Sequence, residues 1–206
     1  MTAAEEPPRR RGRPPSGGRE AILEAALAVL REHGIAHLTS REVAARAGVS
    51  DASVYYHFRD RAGLLQAMFE HGMKPLLFLQ EVDRDEEEPR TVLRQAAASL
   101  EAFFDDVLPI LHAAQSDAEL RPIVAGYIER KDVGPHRGVE HLAGYLRAQQ
   151  GAGRISPRAD PEAVAMLLID SSFARCVRRH MLIRSEERLP SREALLDEIS
   201  RLLDPS

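Results

Sequence analysis

Apolar residues recur three and four positions apart from residue 22 onward, and no run alternates apolar and polar side chains as a half-buried strand does. The clearest stripe consists of Ile22, Leu23, Ala26, Leu27 and Leu30. The longest wholly apolar run covers only residues 163–169, whereas a helix that spans a bilayer needs about 20 residues. The sequence therefore predicts an all-α protein without a transmembrane segment.

Capping residues divide the first part of the chain into short helices. Thr39 stands three residues before Glu42, which is the spacing of a capping box, and Gly48 supplies a left-handed stop. Ser50 and Asp60 are cap candidates for the two helices that follow. These signals predict helices over 19–33, 40–47, 51–57 and 61–74, the last of them ended by a proline.

Prolines punctuate the rest of the chain. Pro89 suits the first turn of a helix that continues through Phe104. Pro109, Pro122 and Pro135 predict further breaks, because proline lacks the backbone N–H that a helix interior uses. The expected segments are short helices near 108–116 and 118–130, a longer helix over 135–150, a loop over 151–160, and helices over 161–181 and 191–203.

Charge and composition limit the possible functions. The 206 residues carry a net charge of −4, but residues 1–61 hold ten basic and eight acidic side chains, so only this part is compatible with a nucleic-acid partner. The single cysteine, Cys176, excludes a disulfide framework. His112, His136 and His141 lack regular ligand spacing, so we expect no metal and no cofactor. The N-terminus has no apolar core of a secretory signal, which favours a cytoplasmic protein.

Two short helices joined by a tight turn at Gly48 form a helix-turn-helix arrangement. Ala44 and Ala47 are small enough to let the two helices cross closely. In this arrangement the second helix enters the major groove of DNA while the first crosses the backbone. The outward positions of the second helix, or its edge, are Asp51, Ala52, Ser53, Tyr55, Tyr56 and His57. Because adjacent helical side chains point about 100° apart, at least one of the two tyrosines must face outward.

The stretch LTSREVAARAGVSDASVYYHFRDRAGLL (38–65) resembles the DNA-binding segment of the tetracycline-repressor (TetR) family of bacterial regulators. The resemblance covers residues 19–70, and residues 80–206 match only in being helical and of about the right length. It implies a helix-turn-helix DNA-binding domain over 19–70, with the motif itself at 39–58, and a helical effector-binding and dimerisation domain over 71–206.

The resemblance also implies roles for individual residues. Arg41 matches a position that reaches a base or a phosphate, Ser53 and Tyr56 match groove-facing positions, and Tyr55 and His57 match phosphate contacts. Arg61 stands where the family usually has a lysine that grips the backbone. The full set of candidate contacts within the motif and at the next helix start is Ser40, Arg41, Ser50, Asp51, Ser53, Tyr55, Tyr56, His57 and Arg61.

Asp51 departs from the family pattern, because many relatives have lysine, glutamine or a small residue there. Two interpretations stay open: its carboxylate accepts from a cytosine amine, or it only favours the helix dipole, and the second is preferred. The arm formed by residues 1–18, expected to be disordered, also leaves two interpretations. Arg11 and Arg13 lie in RGRP, which is similar to an AT-hook and would enter an adjacent minor groove, or the arm is a solvated tail.

Helices over 160–181 and 191–203 combine large apolar side chains with small ones and are assigned to a homodimer interface, a four-helix bundle across a two-fold axis. Packing of the same helices within one chain is the alternative. Asp170 interrupts the first of them and would need a partner if it were buried.

The resemblance implies a transcriptional regulator, a ligand-responsive repressor that binds a palindromic operator in double-stranded DNA as a homodimer. Candidates for the small-molecule effector pocket are Phe103, Phe104, Leu111, Tyr127, His141, Tyr145 and Phe173, which would serve an ordinary core equally well. A helical ligand-binding protein with a relic DNA-binding part is the alternative. The sequence contains no nucleophile–base pair or phosphate loop that would indicate an enzyme.

Overall fold

The computed structural model describes residues 18–77, 88–181 and 189–205. Every regular element in these ranges is helical, which confirms the predicted fold class. The α-helices are α1 (Gly18–His33), α2 (Ser40–Ala47), α3 (Asp51–Phe58), α4 (Arg61–Gly72), α5 (Pro89–Gln115), α6 (Leu120–Lys131), α7 (Pro135–Gly151), α8 (Pro161–His180) and α9 (Arg192–Leu202). Short 3₁₀ helices occupy Ile35–His37 and Lys74–Leu77. No helix within the described ranges combines the length and hydropathy needed to cross a bilayer.

The short helices begin at the caps that the sequence predicts. The Thr39 hydroxyl accepts from the backbone N–H of Glu42 at 3.2 Å, and the Ser50 hydroxyl accepts from that of Ser53 at the same distance. Gly48 ends α2 in the left-handed conformation, with φ 67° and ψ 30°, which glycine adopts without steric penalty. These contacts set the turn between α2 and α3.

The break predicted at Pro109 is wrong. One helix, α5, runs from Pro89 to Gln115 with Pro109 inside it. A proline in a helix interior costs about 3 kcal/mol, but Val107, Leu108 and Ile110 around it are buried. Burial of these side chains holds the helix together across the missing hydrogen bond, so the two segments expected on either side of the proline are one.

The first of two hydrophobic cores joins the helix-turn-helix to the second half of the chain. Ile22, Val43, Leu65 and Met68 are fully buried at its centre. The same core continues onto α5 and α6, where the ring of Phe69 meets Tyr127 edge to face at 5.6 Å. The helices that present the motif are therefore packed directly on the helices that follow.

The second core lies among α5, α7, α8 and α9, and it includes part of the helix that the sequence assigns to a homodimer interface. Leu196 and Ile199 on α9 are buried within the chain, beside Leu93 and Leu168, so these two side chains are unavailable to a partner. Packing within one chain thus holds for these two side chains, whereas Leu202 of the same helix is 59% exposed. Leu196 and Ile199 of α9 are buried because they pack against one side of α5.

Ion pairs fix α8 against α5. Arg175 donates to Glu101 at 3.0 Å in a largely buried pair, and Arg179 donates to Asp105 at 2.8 Å. Asp170 is exposed on α8 and therefore needs no buried partner.

Candidate nucleic-acid interface

The recognition helix α3 turns Val54 and Phe58 into the first core and both of its tyrosines outward. Tyr55 is 54% exposed and Tyr56 is 82% exposed, whereas Val54 and Phe58 retain 3% and 5%. The two adjacent tyrosines expose a continuous aromatic patch, and an exposed patch of this kind that is rimmed by polar groups marks a binding surface. Neither tyrosine fills the core, so the outward direction expected for one of them holds for both.

Three of the predicted contacts line one depression of about 320 Å³ where α2, α3 and α4 meet. Ser40 begins α2, Tyr55 belongs to α3 and Arg61 begins α4, and Thr39 and Asp60 complete the polar part of the wall. The first backbone N–H groups of a helix lack intrahelical partners and favour an anion. The start of α2 therefore gives this depression the chemistry of a phosphate site.

The other predicted contacts lie on α2 and α3 or cap them. Arg41 and Asp51 are exposed, and Asp51 is the first residue of α3, a position compatible with both interpretations of its carboxylate. Ser53 is half-buried, and the Ser50 hydroxyl is engaged as the cap of α3. The half-buried His57 ring lies against the Tyr56 ring in an edge arrangement, with the ring centroids 5.2 Å apart. Arg11 and Arg13 lie outside the described residues.

Arg61 is held by other parts of the chain. Its guanidinium donates to the backbone carbonyl of Ile35 at 2.9 Å and to the carboxylate of Asp117 at 3.2 Å. Ile35 belongs to the first 3₁₀ helix and Asp117 to the connection between α5 and α6. The cation predicted to grip DNA thus connects the helix-turn-helix to the second half of the chain.

Sequence reasoning did not single out Arg59, which follows α3 directly. Its backbone has φ 54° and ψ −50°, an unusual conformation for a residue with a side chain, at a cost of about 1–3 kcal/mol. The corner is tight, because a Cβ added to Gly63 would lie 2.5 Å from the carbonyl oxygen of Phe58. A non-glycine residue at a helix end that must turn sharply into the cap Asp60 is the signal that could have indicated it.

The predicted effector residues are divided between the two cores. The rings of Phe103 and Phe104 lie 5.0 Å apart and those of Phe104 and Phe173 5.2 Å apart, so these three form a row. Tyr127 is buried in the first core and Tyr145 in the second. Leu111 packs on the first core and His141 is half-buried on α7. Their assignment to an effector pocket stays a prediction.

A capped recognition helix with outward tyrosines, crossing a second short helix over a polar depression, defines a helix-turn-helix DNA-binding protein. Comparison with known proteins agrees with this class. Residues 22–68 match the family model of bacterial regulatory proteins, tetR family. The HTH-type transcriptional repressor BepR of Brucella suis biovar 1 (strain 1330) is 29% identical over 161 residues, which cover 73% of this chain and 75% of BepR.

Two further relatives extend the comparison. The tetracycline repressor protein class C of Escherichia coli is 32% identical over 114 residues, covering 55% of this chain and 50% of that protein. The structure of AibR in complex with isovaleryl coenzyme A and operator DNA superimposes with a TM-score of 0.54 at 22% identity, over 91% of this chain and 99% of AibR. The chain thus resembles the tetR family of bacterial regulatory proteins over its helix-turn-helix part, residues 22–68, and it is a DNA-binding transcriptional regulator.

Proposed function

We propose that the protein is a ligand-responsive repressor that binds a palindromic operator as a homodimer in the cytoplasm. The observation that carries the proposal is the outward face of α3, where Tyr55 and Tyr56 are exposed beside the depression at the start of α2. In this assignment Tyr56, Ser53 and Arg41 reach base edges, whereas Tyr55, His57 and the start of α2 contact phosphates. The 29% identity to a protein named as a repressor supports the direction of regulation.

The dimer is assigned to α8, as the sequence predicts, together with α7 in place of α9. The exposed face of α8 carries Met166 and Leu167, which are 57% and 54% exposed, followed by Phe173 one to two turns on. Val139 and Ala143 of α7 border the same face across a depression of about 510 Å³. Exposed apolar side chains on α8, next to a depression bordered by α7, suit a four-helix bundle across a two-fold axis.

The effector is assigned to the second half of the chain, beside the row formed by Phe103, Phe104 and Phe173. Packing supports a route from there to DNA, because Phe103 lies on α5, which shares the first core with α4. A ligand that favours one position of α5 or α6 would displace α4 through Phe69 and Tyr127, and a change in affinity requires such a difference between two arrangements. AibR, with a coenzyme A thioester and operator DNA in one crystal, offers a structural parallel.

The test is selection of binding sites from randomised duplex DNA with the purified full chain at moderate salt. We expect enrichment of an inverted repeat whose half-sites lie about one helical turn apart or a multiple of it. Tyr56→Ala should abolish the enrichment, whereas Arg158→Ala, which removes an exposed arginine of the second half, should leave it intact. A dimeric, folded protein that enriches no repeat would contradict the proposal.

The dimer assignment has its own test. Leu167→Asp places a charge in the middle of the exposed face of α8 and should convert the protein to a monomer in light scattering without loss of helix content. Leu202→Asp is the matched control, because Leu202 is 59% exposed on α9, outside the proposed interface. A dimer that survives the first substitution and dissociates with the second would restore α9 as the interface.

A further inference from the structure

Two arginines flank the cap residue Asp60 in the corner between α3 and α4, and their surroundings differ. The guanidinium of Arg61 contacts the Ile35 carbonyl and the Asp117 carboxylate. Arg59 is exposed, and its guanidinium has no hydrogen-bond or ion-pair partner among the residues that the structure describes. The cation that is free to bind an external anion at this corner is therefore Arg59.

The contacts of Arg61 explain why it is not free. Asp117 is itself fixed, because its other carboxylate oxygen accepts from the backbone N–H groups of Glu119 and Leu120 at 3.0 and 3.2 Å. A move of Arg61 toward DNA would break its hydrogen bonds to the Ile35 carbonyl and the Asp117 carboxylate. Hydrogen bonds to charged groups are stronger than neutral ones. In addition, the negative charge of Asp117 offsets the positive charge that the Arg61 guanidinium would present to a phosphate. These contacts join three segments from both halves of the chain.

The backbone of Arg59 points to a requirement for its side chain. Its N–H donates to the Tyr55 carbonyl at 2.9 Å and so ends α3, a task that any residue type can perform through its main chain. A glycine would adopt φ 54° without the steric penalty that a side chain brings. Strained backbone that persists in a structure clusters at binding sites. Both chain neighbours of Arg59, Phe58 and Asp60, line the depression that contains Ser40 and Tyr55, so this free cation lies at the border of such a site.

We propose that Arg59 is the phosphate-binding cation of the α3–α4 corner and that Arg61 is a tether between the helix-turn-helix and the second half of the chain. The ligand of Arg59 is the phosphodiester backbone of duplex DNA. This assignment rests on the proposed DNA-binding function and reverses the roles that the family resemblance implies for the corner.

The experiment measures binding of the full chain to fluorescein-labelled duplexes, one with the selected repeat and one scrambled, between 50 and 200 mM salt. Arg59→Ala should weaken binding to both duplexes by about tenfold per recognition domain near 0.1 M salt and reduce the salt slope by about 0.9 per domain. Arg59→Lys should keep the slope. Arg158→Ala is the matched control for removal of an exposed arginine.

Arg61→Ala should leave the salt slope at its wild-type value while it lowers the melting temperature. Asp117→Asn keeps the oxygen that caps α6 and removes the charge, so it should lower the melting temperature by a similar amount, and the double variant should show no further loss. Arg59→Gly should melt at a higher temperature than Arg59→Ala, because glycine relieves the strained backbone, and should bind DNA equally weakly.

The outcomes separate this inference from the function on which it rests. A wild-type protein without salt-dependent duplex binding would contradict the proposed function. If the wild-type protein binds and Arg61→Ala reduces the salt slope, Arg61 is not a tether. If Arg59→Ala leaves the salt slope unchanged, Arg59 is not the phosphate-binding cation.

Discussion

Different means hold the two short helices of the helix-turn-helix, α2 and α3, and the long helix α5 in place. α2 and α3 have eight residues each, so most of their backbone groups lie within a turn of an end, and Thr39, Gly48 and Ser50 secure those ends. α5 has 27 residues and continues across Pro109 because side chains around the proline are buried. Short helices here depend on local caps, and long ones depend on burial against distant partners.

The largest expected effect concerns the core that joins the two regions. Leu65 is fully buried where α4 meets the rest of the first core, so Leu65→Ala should lower the free energy of unfolding by about 2–5 kcal/mol. Because this core includes α5 and α6, the loss should appear in a single urea transition, followed by circular dichroism and tyrosine fluorescence. Leu146→Ala, in the second core, is the matched control and should cost about as much. Separate melting of the recognition helices in either variant would show that the shared core does not couple them.

A second substitution tests the corner between α3 and α4. A methyl group at Gly63 would meet the Phe58 carbonyl oxygen at 2.5 Å, so Gly63→Ala should destabilise the protein by about 1–3 kcal/mol. Gly151→Ala, at the end of α7, is the control, since nothing lies within 4 Å of the added carbon. It should be neutral or stabilising by up to about 1 kcal/mol. Equal melting temperatures for the two variants would contradict the close approach of α4 to α3.

Elements defined by local chemistry could be predicted from the sequence. A cap needs only a hydroxyl or carboxylate and an N–H two or three residues away, so Thr39, Ser50 and Asp60 could be assigned without knowledge of the tertiary fold. The outward face of α3 followed from the apolar side chains, Val54 and Phe58, on its other face. Most of the fold class and the candidate DNA-binding surface were therefore accessible at this level.

Features that depend on distant partners could not be predicted. Whether Pro109 ends a helix is decided by burial of its neighbours, and whether Leu196 faces a partner or its own chain is decided by α5, about 100 residues earlier. The free side chain of Arg59 and the engaged one of Arg61 differ because Asp117 folds back onto α4 across 56 positions. Spacing along a sequence carries no information on contacts of this range.

Removal of a helix cap should cost a short and a long helix about the same free energy. The two helices should differ in how much of their length is destabilised. Ser50→Ala and Asp160→Ala each remove an N-cap acceptor, of the eight-residue α3 and the 20-residue α8, and each should cost about 1 kcal/mol. Hydrogen exchange should then rise along all of α3 in the first variant but only in the first turn of α8 in the second. Faster exchange along the whole of α8 would show that caps, and not burial, also hold the long helices.

The smallest expected effect is a pH dependence of the free energy of unfolding, and it arises in the helices that are held by burial. Burial raises the pKa of the Cys176 thiol on α8 from its ordinary 9.0 to about 12. Below pH 9 the folded and unfolded thiols are both protonated, so this group leaves stability unchanged there. Between pH 9 and 12 only the unfolded chain releases the proton, so stability falls as pH rises, by about 1 kcal/mol at pH 10. Urea unfolding at pH 8 and pH 10 measures this loss, and Cys176→Ala should remove that share of it, since every other titrating group is retained. If the wild-type protein loses no more stability between pH 8 and pH 10 than the variant does, the thiol ionises as readily in the folded core as in the unfolded chain.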